Sequence, residues 1–354
     1  MEIAGRTIWQ QAAGDTDRNY GHLCLKWDVI LNGPGYAGPW PDCRAPLLND
    51  GWTSKKCTGI GRFCDDMADG DLVVLRLGTS NILGVGEVVG DYEWKELFGD
   101  VDGWDLQHIR RVRWLWSSLE APQEFDSYTM KLGDTTQLLS SEAVEQWLQA
   151  LEIPAGASNH ELVELPPAGQ CGEIELEDVS SFLFDQGVAS ASIESLLMEM
   201  GELERIAKWY KRSEKPSESE TVAYLVVPLL RALGWTPQKM AVEWNRVDVA
   251  LFSSLPRCDE NLGVVVEVKR MDKSCLTAIS QAQGYAQTRH NCHRLIVTDG
   301  IRYGVYVKKQ DEFTLHAYMN LTELKDNYPI HECHGTKMAL LAMTPEWKGD
   351  LSIY

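Results

Sequence analysis

Val242-Glu243-Trp244-Asn245-Arg246-Val247-Asp248-Val249-Ala250-Leu251-Phe252 and, nine residues on, Leu262-Gly263-Val264-Val265-Val266-Glu267-Val268-Lys269-Arg270-Met271 decide how the C-terminal part of this chain is read. Side chains at i and i+2 of a strand share a face, so Glu267 and Lys269 point one way and Val266 and Val268 the other. The β-branched run before Glu267 predicts a strand buried in a sheet, where charges persist only when paired or bound to metal. Asp248 and Glu267 then offer two carboxylates to Mg2+, an ion usually held by one or two carboxylates plus substrate phosphate. The backbone carbonyl of Val268 is the further expected ligand. Lys269 would hold or help deprotonate an attacking water and stabilise charge on the phosphate. An acid on one strand and an acid-x-lysine on the next form the minimum set of a metal-dependent phosphodiesterase. The bare pattern also fits a surface hairpin with an ion pair, but the next segment favours chemistry. Leu276–Ala286 reads as a helix that carries Gln281 and Tyr285 one turn apart on one face.

With these residues in view, the chain from about Ser217 to Pro345 resembles the PD-(D/E)xK nuclease superfamily, in particular the nuclease domain of type I restriction R subunits. The resemblance rests on ETVAYLVVPLLRALGW from Glu220, RVDVALF, VVVEVKR, QAQGYA and LIVTDGIRYGVY, in that order. It implies a restriction-endonuclease-like α/β fold, a mixed central sheet flanked by helices. It implies Asp248, Glu267 and Lys269 as the catalytic core, Gln281 and Tyr285 as a QxxxY element, and Glu220 as an acid on the first helix. Val247 stands where the superfamily name has proline, a position that varies among members. No G-x-x-x-x-G-K-[ST] occurs, so Mg2+, with Mn2+ able to substitute, is the expected cofactor and ATP is not.

The N-terminal region is dense in tryptophan, with Trp9, Trp27, Trp40, Trp52, Trp94, Trp104, Trp114 and Trp116. Met67–Leu77 and Ile82–Val89 read as strand, turn, strand, opened by a D-G-D turn, and Arg110–Trp116 alternates as a later strand, together predicting a small β-barrel. From about Leu23 to Trp116 the order of a G-D-x-V strand, a G-x-G-E-V strand and an R-V-x-W strand is similar to the EVE and PUA-like family. That resemblance implies nucleic-acid binding and a modified base taken into an aromatic pocket, which needs stacking surfaces and hydrogen bonds to the base edge. Trp27, Trp52 and Trp94, with Asp28, Asn49 and Asp50, are the pocket candidates. Arg110, Arg111 and Arg113, with Lys55 and Lys56, are the candidates for phosphate contacts.

The chain has 354 residues and a formal net charge of −19, which is awkward for a DNA-binding protein because phosphate contacts call for Lys and Arg. Eighteen acids against only Lys131 and Arg205 fall between Ser117 and Arg205, so the flanking regions are nearly neutral. The expected organisation is an EVE/PUA-like β-barrel at 1–118, an acidic helical connector at 119–215 and a nuclease domain at 216–354. Within the connector a long helix is predicted from Ala191 to about Lys211. Its apolar stripe, Ile193, Leu197, Met200, Leu203 and Tyr210, fits either a homodimer seam or a face packed on the nuclease.

No apolar run approaches the roughly 18 to 20 residues of a membrane span, and no basic n-region or h-region opens the chain, so a cytoplasmic protein without a membrane partner is expected. Nine cysteines without a C-x-x-C read as reduced thiols in cores. His290, Cys292 and His293 with His331, Cys333 and His334 have spacings that match no zinc pattern and read as loop and core residues. The sequence therefore predicts a DNA endonuclease directed by a modified base, of the kind used in restriction or anti-phage defence. Its rivals are a nuclease whose N-terminal domain senses a small molecule or partner, and a non-catalytic nucleic-acid-binding protein. The complete acid, acid and lysine set argues against the last.

Overall fold

Gly70, at φ 84°, turns the chain into its first long strand after the Asp69-Gly70-Asp71 corner, where Asp71 Oδ2 accepts from Ala68 N–H at 2.9 Å and Trp9 Nε1 at 2.8 Å. The computed structural model describes residues 1–14, 18–167, 171–347 and 349, and separates into two units, Met1–Ala168 and Gly169–Tyr354. The acidic stretch 119–215 is thus divided between them. Both units mix helices and strands.

The first unit contains β1 (Ile8–Ala12), α1 (Gly21–Lys26), β2 (Val29–Asn32), α2 (Arg44–Asn49), α3 (Ser54–Gly61), β3 (Leu72–Leu77), β4 (Asn81–Trp94), β5 (His108–Ser117), β6 (Gln123–Glu124), β7 (Thr136–Leu138) and α4 (Glu142–Ala150). The strands pair in the order β2-β5-β4-β3-β1-β7, with β6 on β4, in a sheet that curls as a half-barrel. The curl has a local cause. β4 carries register shifts against β5 between Val85 and Gly86 and between Val89 and Glu93, and such bulges bend and twist a strand. Gly86 is required at the first, because a Cβ there would lie 2.4 Å from Val112 Cγ1. α4 closes the apolar end of the sheet, placing Val144 and Leu148 against Val74, Ile82 and Val85.

The second unit begins with α5 (Leu176–Asp185) and α6 (Ser190–Arg212). α7 (Glu218–Thr221) continues through a π-helical turn (Val222–Val226) into α8 (Val227–Ala232). Pro228 has no N–H for the carbonyl one turn back, and the wider turn directly before it accommodates that loss. β8 (Met240–Trp244), β9 (Val247–Phe252), β10 (Leu262–Val268), α9 (Ile279–Ala286), β11 (Arg294–Thr298), β12 (Arg302–Lys309), β13 (Glu312–Asn320), β14 (Asn327–Tyr328), β15 (Cys333–His334) and α10 (Thr336–Met343) follow. Their sheet order is β14-β15-β13-β12-β11-β10-β9-β8. β10 and β11 are parallel and are joined through α9, while β8, β9 and β10 run antiparallel. Strand alternation sorts the core. Val264, Val266 and Val268 face the layer built by α6, α8 and α10, whereas Val265 faces the layer that contains Ala282 and Ala286 of α9.

Beyond Ala317 the chain completes β13 and adds β14 and β15 before α10. On α6, Ile193, Met200, Leu203 and Tyr210 are buried within the second unit's own core together with Leu196 and Ala207, so the stripe packs on its own unit. Leu197 alone of the predicted stripe is exposed, at 38%. Leu203→Ala is therefore expected to lower unfolding stability by about 2–5 kcal/mol, and Leu197→Ala by less than about 1 kcal/mol. Urea denaturation of the two variants checks this, and equal small effects would contradict the burial of the stripe.

Candidate functional site

In the second unit the pairing of Val266 with Val249 and Val265 with Ala250 continues to bring Glu267 of β10 opposite Asp248 of β9. Glu267 is 1% exposed. Its Oε1 accepts from Lys269 Nζ at 2.8 Å, and the same ammonium donates to Gln281 Oε1 at 2.9 Å. Gln281 Nε2 in turn donates to the Tyr285 hydroxyl at 3.1 Å. Asp248 Oδ2 accepts the Val268 N–H at 2.7 Å, so the two predicted carboxylates, the lysine, Gln281 and Tyr285 come together as one connected group. Val268 itself is fully buried between them.

The electrostatics of this group are unbalanced. Burial pushes the Glu267 carboxyl up to about 7, against the pull of the Lys269 ammonium, and the charges of Asp248 and Glu218 push the same way as burial. Burial also raises Asp248, partly offset by the Val268 N–H and Lys269. Glu267 Oε2 is buried with no hydrogen-bond partner. A buried acceptor left unmatched costs about 1–3 kcal/mol, and more when charged. A cation beside Glu267 Oε2 and Asp248 would remove both penalties. Among the described residues no group of three His, Cys, Asp or Glu side chains is arranged to hold a metal. Two carboxylates fit Mg2+, which keeps waters and phosphate oxygens in its shell, and do not fit a structural zinc site.

A cleft of about 370 Å³ opens beside Asp248, lined by Glu218, Val222, Ala223, Val242 and Glu243 among others. The π-helical turn forms one wall and the β8–β9 hairpin another, with Glu243 held at φ 54°. Glu220, the acid singled out from sequence, is turned away from this cleft. Its Oε2 accepts from both Ser217 N–H and Ser217 Oγ at 2.8 Å, while its own N–H donates to Ser217 Oγ at 3.2 Å, a reciprocal cap. Glu218, two residues earlier, is the acid of that first helix that lines the cleft and acts on Glu267. The S-x-x-E spacing of Ser217 and Glu220 was the available signal, since it marks a capping box.

In the first unit a slot of about 380 Å³ is lined by Tyr20, Asn32, Pro34, Trp52, Trp104 and Asp105, among others. Of the sequence candidates only Trp52 belongs to it. Trp27 is buried, at 7% exposure. Asp28, at φ 51°, is buried too, and its Oδ2 accepts from Val163 N–H at 2.9 Å and His160 Nε2 at 3.1 Å, clamping the segment after α4. Trp94 Nε1 donates to the Gly35 carbonyl at 3.1 Å. Asn49 is exposed, and Asp50 accepts from the Tyr36 hydroxyl at 3.0 Å. Tyr20, Asn32, Trp104 and Asp105 were not singled out, because only the curl of the sheet brings segments so far apart in sequence to one slot.

The three arginines expected at phosphate are turned to the protein. Arg110, 3% exposed, donates to the carbonyls of Phe63 at 3.0 Å, Cys64 at 2.8 Å and Gly90 at 3.1 Å, and to that of Met67. Arg111 donates to the carbonyls of Asp28, at 3.2 Å, and Val163. Arg113 donates to the His160 carbonyl at 3.2 Å and faces Glu87 at 3.9 Å. Lys55 and Lys56 at the start of α3 are exposed.

Residues 42–138, a little over a quarter of the chain and all within the first unit, match a family model described as a domain of unknown function (DUF8426). No curated protein matches the chain.

The folded carboxyl of Glu267 titrates near 7 against an ordinary 4.5, which fixes the sign of its effect on stability. Below the ordinary value it is protonated in both states and costs nothing. Between the two values the folded state holds a proton that the unfolded state has released, and stability falls as pH rises; above about 7 the penalty is complete. Glu267→Gln should therefore raise the melting temperature of the metal-free protein by several degrees at about pH 8 and by much less near pH 5. A lowered melting temperature at about pH 8 would show that the Lys269 pair outweighs burial.

Proposed function

We propose that this chain is a Mg2+-dependent DNA endonuclease of the PD-(D/E)xK type, directed to its substrate by a modified base read in an EVE/PUA-like N-terminal unit. The observation that carries the reading is the unmatched, buried Glu267 Oε2 facing Asp248 with Lys269 attached. The large majority of buried carboxylate oxygens in folded proteins have a partner, so an unmatched one calls for an explanation. Asp248 and Glu267 would hold the ion, with the Val268 carbonyl as a backbone donor. When bound, Mg2+ neutralises phosphate charge and assists in-line attack by water.

The remaining work falls to the chain's own residues. Lys269 Nζ has three N–H groups, two of which are directed at Glu267 and Gln281, and the third is available to an attacking water or a phosphate oxygen. Gln281 and Tyr285 fix the position of that ammonium from α9. Glu218 adds negative charge at the cleft, which strengthens cation binding and disfavours phosphate where no cation is present.

A modification-dependent restriction or anti-phage enzyme is the biological role that joins these parts. The rival in which the first unit senses a small molecule draws support from one feature, the slot at Trp52, whose volume suits a single small ligand. Parallel digestion of unmodified, methylated, hydroxymethylated and glucosylated DNA with Mg2+ separates the two, since a sensor-triggered nuclease would not discriminate among them.

Asp248→Ala, Glu267→Ala and Lys269→Ala should each reduce cleavage by about 100-fold or more while the fold is retained; Mg2+-dependent cutting by Glu267→Ala at the parental rate would remove the assignment. Because a proton competes for Glu267 up to about pH 7, the Mg2+ concentration for half-maximal cleavage should fall as pH rises through that value. Glu218→Gln should weaken cleavage and raise the Mg2+ requirement. Glu220→Ala should leave cleavage intact and lower thermal stability slightly through the lost reciprocal cap. The reverse pattern would return Glu220 to the site.

A further inference from the structure

The last turns of α6 reverse the charge of the chain around them. Lys208, Lys211, Arg212 and Lys215 stand there against the single acid Glu214, in a protein of net charge −19. All four cations are exposed, and Lys208, Lys211 and Arg212, at i, i+3 and i+4, share a face of the helix. Their partners within the protein are modest ones. Lys208 pairs with Glu204 one turn back, Lys215 Nζ reaches Asp272 Oδ2 at 3.0 Å, and Arg212 Nε donates to the Lys208 carbonyl at 3.2 Å. Exposed pairs of this kind contribute little, so a phosphate can displace the acid at small cost.

A helix dipole favours cations at its C-terminal end, which accounts for the charges. It gives no reason for the aromatic rings set among them. Trp209 is 56% exposed although its ring rests on that of Tyr210, with centroids 4.9 Å apart. Tyr224, on the π-helical turn, is 54% exposed. Burial raises the Tyr210 hydroxyl above its ordinary value, and Glu220 and then Tyr224 push the same way, so the two exposed rings are both neighbours of Tyr210. The patch also leads to the acids. Tyr224 directly follows Val222 and Ala223, which line the cleft beside Asp248. The Lys215–Asp272 pair, and the Arg270 Nε that donates to the Pro216 carbonyl at 3.4 Å, tie the end of the patch to the segment directly after Lys269.

Cations spaced along a path match a phosphate backbone, and open rings beside them offer stacking faces that any unpaired base can use. A paired duplex keeps its base faces inside its own stack, so rings on an open surface suit unpaired nucleotides. We propose that the end of α6 and the π-helical turn form the approach for an unpaired DNA strand, its phosphates on Lys208, Lys211, Arg212 and Lys215 and its bases stacked on Trp209 and Tyr224, with a following phosphate delivered to Asp248 and Glu267. The fate of that phosphate rests on the nuclease reading above, whereas the binding of the strand does not.

The test uses the full chain, first in chelator, where binding is read without cleavage, and then with Mg2+. Fluorescein-labelled probes for anisotropy are a short mixed-sequence single strand, the same sequence as a blunt duplex, and that duplex with an unpaired tail; poly-glutamate competes as a polyanion without bases. Trp209→Ala is expected to weaken the single strand and the tailed duplex by roughly 5- to 150-fold, the range of one lost base stack, with the blunt duplex changed much less and Trp209→Phe intermediate. Lys211→Gln with Arg212→Gln should weaken all three probes and lower the salt slope by about one to two. With Mg2+, both sets of variants should raise KM for the tailed substrate more than they lower kcat. Circular dichroism of each variant excludes unfolding. Unchanged binding in both sets, an equal loss for every probe in Trp209→Ala, competition by poly-glutamate as strong as by unlabelled strand, or a parent chain that binds no probe overturns the strand surface. A parent that binds as expected but cuts none of the modified or unmodified DNAs with Mg2+ leaves the strand surface in place and removes the nuclease reading. Cleavage that is present and indifferent to both sets of variants does the reverse.

Discussion

A carboxylate enclosed by a sheet with one oxygen unmatched is the constraint around which the second unit is built. Glu267 occupies a strand whose residues Val264, Val265, Val266 and Val268 are wholly buried, with packed layers on both faces of the sheet. Burial there raises its carboxyl to about 7, so the free protein holds near neutrality a group that is neither firmly charged nor firmly neutral. Everything adjacent is arranged about that tension. Lys269 compensates one oxygen, Gln281 and Tyr285 hold Lys269, and Asp248 is brought opposite by the register of β9 and β10. A sheet selected for stability alone would place a valine at this position.

The cleft beside the carboxylates follows from two irregularities in otherwise regular elements. Pro228 obliges the helix before it to widen into a π-helical turn, and that turn supplies Val222 and Ala223 to the wall. The hairpin between β8 and β9 has Glu243, Asn245 and Arg246 at positive φ, a conformation costly for non-glycine residues and one that sets Glu243 at the rim. The proposed substrate backbone would need an open approach to the acids, and these two departures open the cleft beside Asp248.

Legibility from sequence tracked how local each cause was. Alternation in Gly263–Lys269 placed Glu267 and Lys269 on one face, and the one-turn spacing of Gln281 and Tyr285 placed them together, because both rules need only neighbouring residues. The Asp299-Gly300 turn has an equally local cause: Asp299 Oδ1 accepts from the N–H groups of Ile301, at 3.0 Å, and Arg302, at 2.7 Å. Glu220 came from the resemblance, as the acid of the first helix, without asking which acid that helix's own N-terminus would take. The slot was missed except for Trp52, since Tyr20, Asn32 and Trp104 meet only when bulged β4 curls the sheet. The arginines of β5 were read by their charge and the aromatics beside them, although Arg110, Arg111 and Arg113 lie on a strand whose neighbouring loops have carbonyls to satisfy.

The charge balance then bears on how such a chain would treat DNA. With a net charge of −19 and its β5 arginines turned inward, the protein has little of the cationic surface on which sequence-independent binding depends. For the proposed nuclease that shortage has a use. Plain duplex would meet mainly repulsion, while a substrate that also stacks unpaired bases and brings phosphate to a cation-loaded pair of carboxylates gains terms that plain duplex lacks. Discrimination is a difference of affinities, and a weak non-specific term raises the fraction of binding that the distinguishing contact controls. In the proposed nuclease, the same acids that argue against a nucleic-acid enzyme would restrain one that must ignore most of the DNA it encounters.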